Sequence, residues 1–257
     1  MDLCARGGIA RYLDRIGLDE ADLPNGIEAL VSAVATAQHA RVPFENLGIH
    51  AGRVVGVEPA RIAQRLVDDR RGGICYELNG LLLYALRALG VPAVLHGARV
   101  DSGAGFGPAD GHVAVVVPGD PAMLVDVGFG GDMILRPIDL ADPAGRDVSA
   151  GAARYRIDPA VRELDEFAGM ARWHSTSGQS RFTGSVICTL PVDAGRRTMT
   201  GRIDPESGRI DYRMIEVDGD SRRECAVAAA DVPGRLSDVF GIDDPRPPMR
   251  SAVGGHR

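Results

Sequence analysis

RRGGICYELNGLLLYALRALG, residues 70–90, decides the fold. Leu78, Leu81, Leu82, Ala85, Leu86 and Leu89 follow i, i+3, i+4, i+7, i+8, i+11 spacing, one continuous apolar stripe along an α-helix. Gly90 followed by Pro92 is the stop signal. Cys75 stands three residues before Leu78, on the same inward face and in the first helical turn. Unpaired N–H groups give a helix N-terminus partial positive charge, which favours an anion there. Gly72 and Gly73 leave room for another backbone or a substrate to come close. From position alone two readings of Cys75 stay open, a small packed hydrophobe and a nucleophile.

The flanks supply the rest of the architecture. Upstream, GIEALVSAVATAQHA (26–40) places Ile27, Leu30, Val31 and Val34 at helical spacing, and Pro59 opens a further helix through ARIAQRLVDDRR (60–71). Past residue 90 the texture changes to short β-branched runs, VPAVLHGARV, HVAVVV and AMLVDVG, the last two separated by the turn PGDP (118–121). SVICTL follows, then RTMTGRI and GRIDYRMIEV around DPESG as a hairpin, then a short helix, PGRLSDVFGI. Helices followed by an antiparallel β region and a smaller mixed segment make an α+β fold. The expected units are 1–90, 91–195 and 196–257.

The 257 residues, 45% hydrophobic and 25% charged, describe an ordinary globular protein. A formal charge of −6 argues against a nucleic-acid partner. Asn79 and Arg87 interrupt the longest apolar run, and MDLCARGGIARYLDRIG lacks the apolar stretch of a secretory signal, so the expected location is the cytoplasm, with no membrane partner. Cys4, Cys75, Cys188 and Cys225 are scattered, so neither a disulfide framework nor a metal site is expected. The Pro-, Gly- and Arg-rich stretch DDPRPPMRSAVGGHR (243–257) reads as a loosely held tail.

A nucleophilic cysteine needs a base, and the base needs an orienting partner. Of the six histidines, His256 lies in the tail, His50 and His174 in loop-like stretches, His39 at a helical core position and His96 within a strand. His112 opens HVAVVV, and Asp126 closes AMLVD on the other arm of the hairpin. A turn centred between Gly119 and Asp120 pairs residues whose numbers sum to about 239. His112 and Asp126 then stand almost directly opposed, with Cβ atoms roughly 5 Å apart. An unpaired carboxylate inside an apolar strand is costly, so Asp126 requires such a partner. Cys75, His112 and Asp126 form the candidate triad, a grouping recognised by geometry on unrelated folds.

HARVPFENL (39–47), RRGGICYELNG (70–80), GHVAVVV (111–117) and LVDVGFGG (124–131) resemble the arylamine N-acetyltransferase family, as do YLDRIG (12–17) and HSTSGQSRFTGSV (174–186). The resemblance implies an N-terminal helical bundle, a central antiparallel β-barrel and a C-terminal α/β lid, with a papain-like cysteine triad of Cys75, His112 and Asp126. It implies acetyl transfer from acetyl-coenzyme A to arylamines, arylhydrazines or arylhydroxylamines through an acetyl-cysteine, in ping-pong order and without a metal. Phe129 and Phe44 would line the acceptor pocket, and Gly130 and Gly131 would let coenzyme A approach. Glu45 and Arg71 read as a buried ion pair supporting the site. The chain departs from many relatives in the short, glycine-rich stretch between Arg99 and His112, and in CYELN, where Phe and His often fill the second and fourth places. Three competing readings use the same residues: an amide synthase closing a macrolactam from a carrier-bound polyketide, a cysteine protease, and a non-enzymatic binding module.

Overall fold

Five helices and one short strand come first: α1 (Gly8–Ile16), α2 (Ile27–Arg41), β1 (Phe44–Glu45), α3 (Leu47–His50), α4 (Pro59–Ala63) and α5 (Cys75–Ala88). The computed structural model describes residues 7–243 apart from 102, 104, 152, 194 and 205. Pro59 sits at the start of α4, where its missing N–H has no partner to lose. The helix read onward from it widens into a π-type turn over 64–68. The leucine stripe of α5 faces inward as its spacing requires. Burial nevertheless runs all the way round, covering Tyr76, Glu77, Asn79, Gly80 and Leu83 as well. A helix enclosed on every side is a core helix, and the rest of the chain is built around it.

Six strands form one antiparallel sheet: β2 (Val94–Asp101), β3 (His112–Val117), β4 (Ala122–Asp126), β5 (Ile134–Ile138), β6 (Asp147–Ala150) and β7 (Ala153–Arg162), in the order β5-β4-β3-β2-β7-β6. Its two edges meet where Arg136 of β5 donates to the Asp147 carbonyl of β6 at 3.1 Å, so the sheet curls into a nearly closed barrel. Every residue of β3 is buried. Val113, Val115 and Val117 belong to the core that contains α5, whereas Ala114 and Val116 fill the barrel. The period-2 alternation of a strand thus joins two cores.

The chain continues through α6 (Ala168–Thr176), α7 (Arg181–Gly184), β8 (Ser185–Val192), β9 (Gly195–Ile203), β10 (Ile210–Asp218), β11 (Ser221–Val227) and α8 (Val232–Phe240). A second antiparallel sheet runs β1-β8-β9-β10-β11. The hairpin read around DPESG is present, with Ile203 opposite Ile210. SVICTL, grouped with the barrel from the sequence, instead hydrogen-bonds into this second sheet as β8, so the expected boundary at 195 falls inside the β8–β9 hairpin. β11 was not anticipated; its SRRECAV is exposed along almost its whole length and carries no alternation to read. Cys4, His256 and the tail beyond Asp243 lie outside the described residues. Among the described residues no helix is long and apolar enough to cross a membrane.

Candidate active site

The room left by Gly72 is taken by backbone, and that left by Gly73 by the Glu77 side chain. A Cβ on Gly72 would run into the Pro43 carbonyl. Phe44 bridges Gly73, and the Glu45 N–H donates to the Gly73 carbonyl at 3.0 Å. This contact pins HARVPFENL against the start of α5. Glu77 closes the first turn by accepting the Ile74 N–H at 3.2 Å. Behind it lies a buried ionic cluster. Glu77 pairs with Arg53 at 2.9 Å, and Glu45 pairs with Arg65 and, at 3.7 Å, with Arg71. Burial alone would raise the Glu45 carboxyl, but the guanidinium groups of Arg65, Arg71 and Arg53 hold it below the usual range. The Glu45–Arg71 pair is therefore part of a larger network than the sequence suggested.

Cys75 is the first residue of α5 and is 3% exposed. Its side chain lines the same cavity as His112 and lies near enough to favour the protonated imidazole. The His112 Nε2–H donates to Asp126 Oδ2 at 2.7 Å, which leaves Nδ1 as the nitrogen for the thiol. The three side chains named from the sequence thus meet. The register that brings them together differs from the one expected. The β3–β4 ladder pairs Val117 with Met123 and Val115 with Val125, an index sum of 240, so the hairpin pivots on Asp120 itself. A sum of 239 would have put His112 and Asp126 on opposite faces. At 240 they share the barrel face as diagonal neighbours, not as direct partners, within reach of long side chains.

Asp126 is fully buried and accepts four hydrogen bonds. Oδ1 takes the Asn79 amide at 2.8 Å and the Gly128 N–H at 2.9 Å; Oδ2 takes His112 and the Tyr155 hydroxyl at 2.8 Å. Burial would raise its pKa, but the charge and hydrogen bond of His112, with the other donors, bring it below the usual carboxylate range. The same pairing acts on His112. Burial disfavours the imidazolium, yet Asp126 and then Cys75 outweigh it and hold the ring's pKa above its ordinary value. Asn79 also donates to the Val113 carbonyl at 2.7 Å and accepts the Val127 N–H at 3.1 Å, lacing α5 to both strands of the hairpin. Gly128 makes that approach possible. A Cβ there would lie 2.9 Å from the Cys75 Cα and 2.7 Å from the Asn79 amide nitrogen.

Cys75 and His112 open onto a cavity of about 290 Å³. Phe44 and Phe129, both singled out from the sequence, line it with Phe182 and Trp173. The Phe129 ring stands edge-on to His112 at 5.1 Å between centroids, and Tyr155 flanks the imidazole at 4.9 Å. Gly130 has φ +85°, and a Cβ there would lie 3.2 Å from the Phe44 ring, while the position of a Cβ on Gly131 is open space. Three residues of this site escaped the sequence reading. Asn79 was legible in principle, since it follows Cys75 by one helical turn. Tyr155 arrives from β7 with no local signal. His174, in a stretch whose sequence looks loop-like, lies on α6, lines the cavity and donates from Nε2 to the Gly111 carbonyl at 3.3 Å. Burial pushes its pKa down to about 4, so the ring stays neutral. His39 and His50 make backbone contacts elsewhere, through Nε2 to the carbonyls of Gly131 and Ser185 at 3.0 and 3.1 Å, and His96 meets the Asp158 carbonyl through Nδ1.

A thiol at the tip of a core helix, facing an imidazole and carboxylate on an antiparallel barrel, defines a cysteine-triad protein of the papain-like arrangement. The family model described as N-acetyltransferase matches residues 27–158. The arylamine N-acetyltransferase of Mycolicibacterium smegmatis is 41% identical over 50% of this chain and 49% of its own length, so the match spans about half of that relative. That of Mycobacterium bovis is 31% identical over 91% of this chain and 89% of its own. The solved structure of Mycobacterium marinum arylamine N-acetyltransferase in complex with CoA superposes with a TM-score of 0.73 at 26% identity, covering 91% of this chain and 93% of that one. The chain belongs to the arylamine N-acetyltransferase family, and it is an acetyltransferase.

Proposed function

We propose that the protein moves an acetyl group from acetyl-coenzyme A to an arylamine, arylhydrazine or arylhydroxylamine, with Cys75 as nucleophile, His112 as proton carrier and Asp126 as its orienting partner. One observation carries the reading: Cys75 and His112 line one cavity, and a fully buried Asp126 holds the imidazole from behind at 2.7 Å. His112 takes the thiol proton, and Asp126, hydrogen-bonded to the far nitrogen of the ring, stabilises the imidazolium that forms. The thiolate attacks the acetyl carbonyl. The C–S bond to the donor breaks, and the departing thiolate receives the proton from His112. In the second half the amine attacks the acetyl-cysteine, His112 accepts the amine proton, and the same proton returns to the Cys75 sulfur as it leaves. Each tetrahedral intermediate carries an oxyanion. The Cys75 N–H, first in α5 and without an intrahelical acceptor, is a backbone donor available to it.

The donor assignment draws support from the CoA complex of the Mycobacterium marinum relative and from the open space over Gly131. The acceptor assignment draws support from the cavity. A space of about 150 Å³ accommodates a benzene molecule. The 290 Å³ here suits one substituted aromatic ring against Phe44, Phe129 and Phe182. A macrolactam-forming polyketide is far larger, which places the amide-synthase reading second. Intact-mass analysis tests the proposal. Incubation with acetyl-coenzyme A and no acceptor is expected to add one acetyl group at Cys75, and an added arylamine is expected to remove it. An enzyme that stays unmodified, or an adduct that persists in Cys75→Ala, would defeat the reading.

A further inference from the structure

Among the described residues lining the cavity, Arg181 is the one permanently charged side chain, and no Asp or Glu shares that lining. Its guanidinium lies over the Phe182 ring, 5.5 Å from the centroid, and among the described residues it has no carboxylate partner. Its charge is felt inside the cavity: after burial and the Gly111 hydrogen bond, it is one of the influences on His174, lowering that pKa. Arg181 is itself exposed, so it meets solvent as well as the cavity; an anionic ligand held against the aromatic walls gains a charge-assisted contact with it that a neutral ligand lacks. His174, held neutral, neither competes for the anion nor repels the cation.

We propose that Arg181 is an anion-recognition point of the substrate cavity, receiving acidic oxygens carried by a bound substrate: the carboxylate of an acidic arylamine or the phosphates of the thioester donor. This rests on the acyl-transfer reading of the same site. The two half-reactions separate the sources. Discharge of the acetyl-enzyme is measured with 4-aminobenzoate and with its uncharged methyl ester. Loading of Cys75 is measured with acetyl-coenzyme A and with acetyl-pantetheine, which lacks phosphate. The readout is the ratio of second-order rate constants, anionic over neutral probe. In Arg181→Met that ratio is expected to fall about threefold, the scale of one solvent-exposed charge pair. Arg181→Lys should retain part of the preference, and added salt should erode it in the wild type. A fall in the discharge ratio assigns the anion to the acceptor; a fall in the loading ratio assigns it to the donor. Normal loading with both ratios unchanged overturns the proposal alone. Failure of both donors to load Cys75 overturns it together with the acyltransferase reading.

Discussion

Asp126 concentrates more of the site's energetics than any other residue. Two carboxylate oxygens serve four donors in full burial, so the side chain must be an acceptor on every side. Asp126→Asn replaces one acceptor by an N–H₂ group that confronts donors, and it removes the charge that holds the imidazolium. Activity is expected to fall on the order of 10³- to 10⁴-fold, the scale known for the orienting acid of a triad. Urea unfolding should show a loss of about 3–5 kcal/mol, as when one member of a buried pair is removed. Activity within tenfold of wild type would contradict the role. A pH dependence follows from His112. Its folded pKa is raised, so its stabilising contribution is complete below about pH 6.5, the unfolded value. The contribution is then lost as pH rises through the folded value. Unfolding midpoints should therefore decline on the alkaline side in the wild type and decline less steeply in His112→Gln.

At the scale of elements, α5 and the β3–β4 hairpin are held in register by small contacts. Gly128→Ala sets a methyl group against the Cys75 backbone, which has no rotamer to move out of the way. The expected cost is about 1–3 kcal/mol of stability, with a larger fall in kcat than in KM because the thiol and imidazole are pushed apart. Differential scanning calorimetry with steady-state kinetics measures both, and a silent substitution would refute the close approach. The same elements show what a sequence discloses. The leucine spacing of α5 and the β-branched runs of β2–β4 were readable because burial imposes a period on them. The pairing of His112 with Asp126 was readable because a buried carboxylate demands a partner, although the pivot of the hairpin was one half-step off. β11 was not readable, since an exposed edge strand has no apolar face to advertise it. β1 escaped for a different reason: its two residues become a strand only by pairing with β8, far along the chain. Tyr155 and His174 share that non-local origin. Each reaches the site through tertiary packing, and nothing in the residues beside them predicts the destination.

At the scale of the molecule, two cores meet at the cavity and a third is joined to them at one side. The helical core carries the thiol, the barrel carries the imidazole and the carboxylate, and the second sheet is tied in where β1 pairs with β8. The cavity's 290 Å³ sets a limit on cargo. Donors with acyl chains extended from acetyl to hexanoyl are expected to lose kcat/KM progressively. Phe129→Ala should shift that cut-off to longer chains, and an unchanged chain-length profile would argue that Phe129 does not bound the acyl end.

Because β3 is claimed from both sides, HVAVVV offers no slack for remodelling. A bulkier side chain at Ala114 would swell the barrel, and one at Val115 would displace α5 and carry the sulfur with it. An engineer seeking a roomier enzyme must therefore work from the aromatic walls, where a ring has empty space on one flank. The strand between the lobes acts as a keystone: shaved or thickened, it shifts both arches at once.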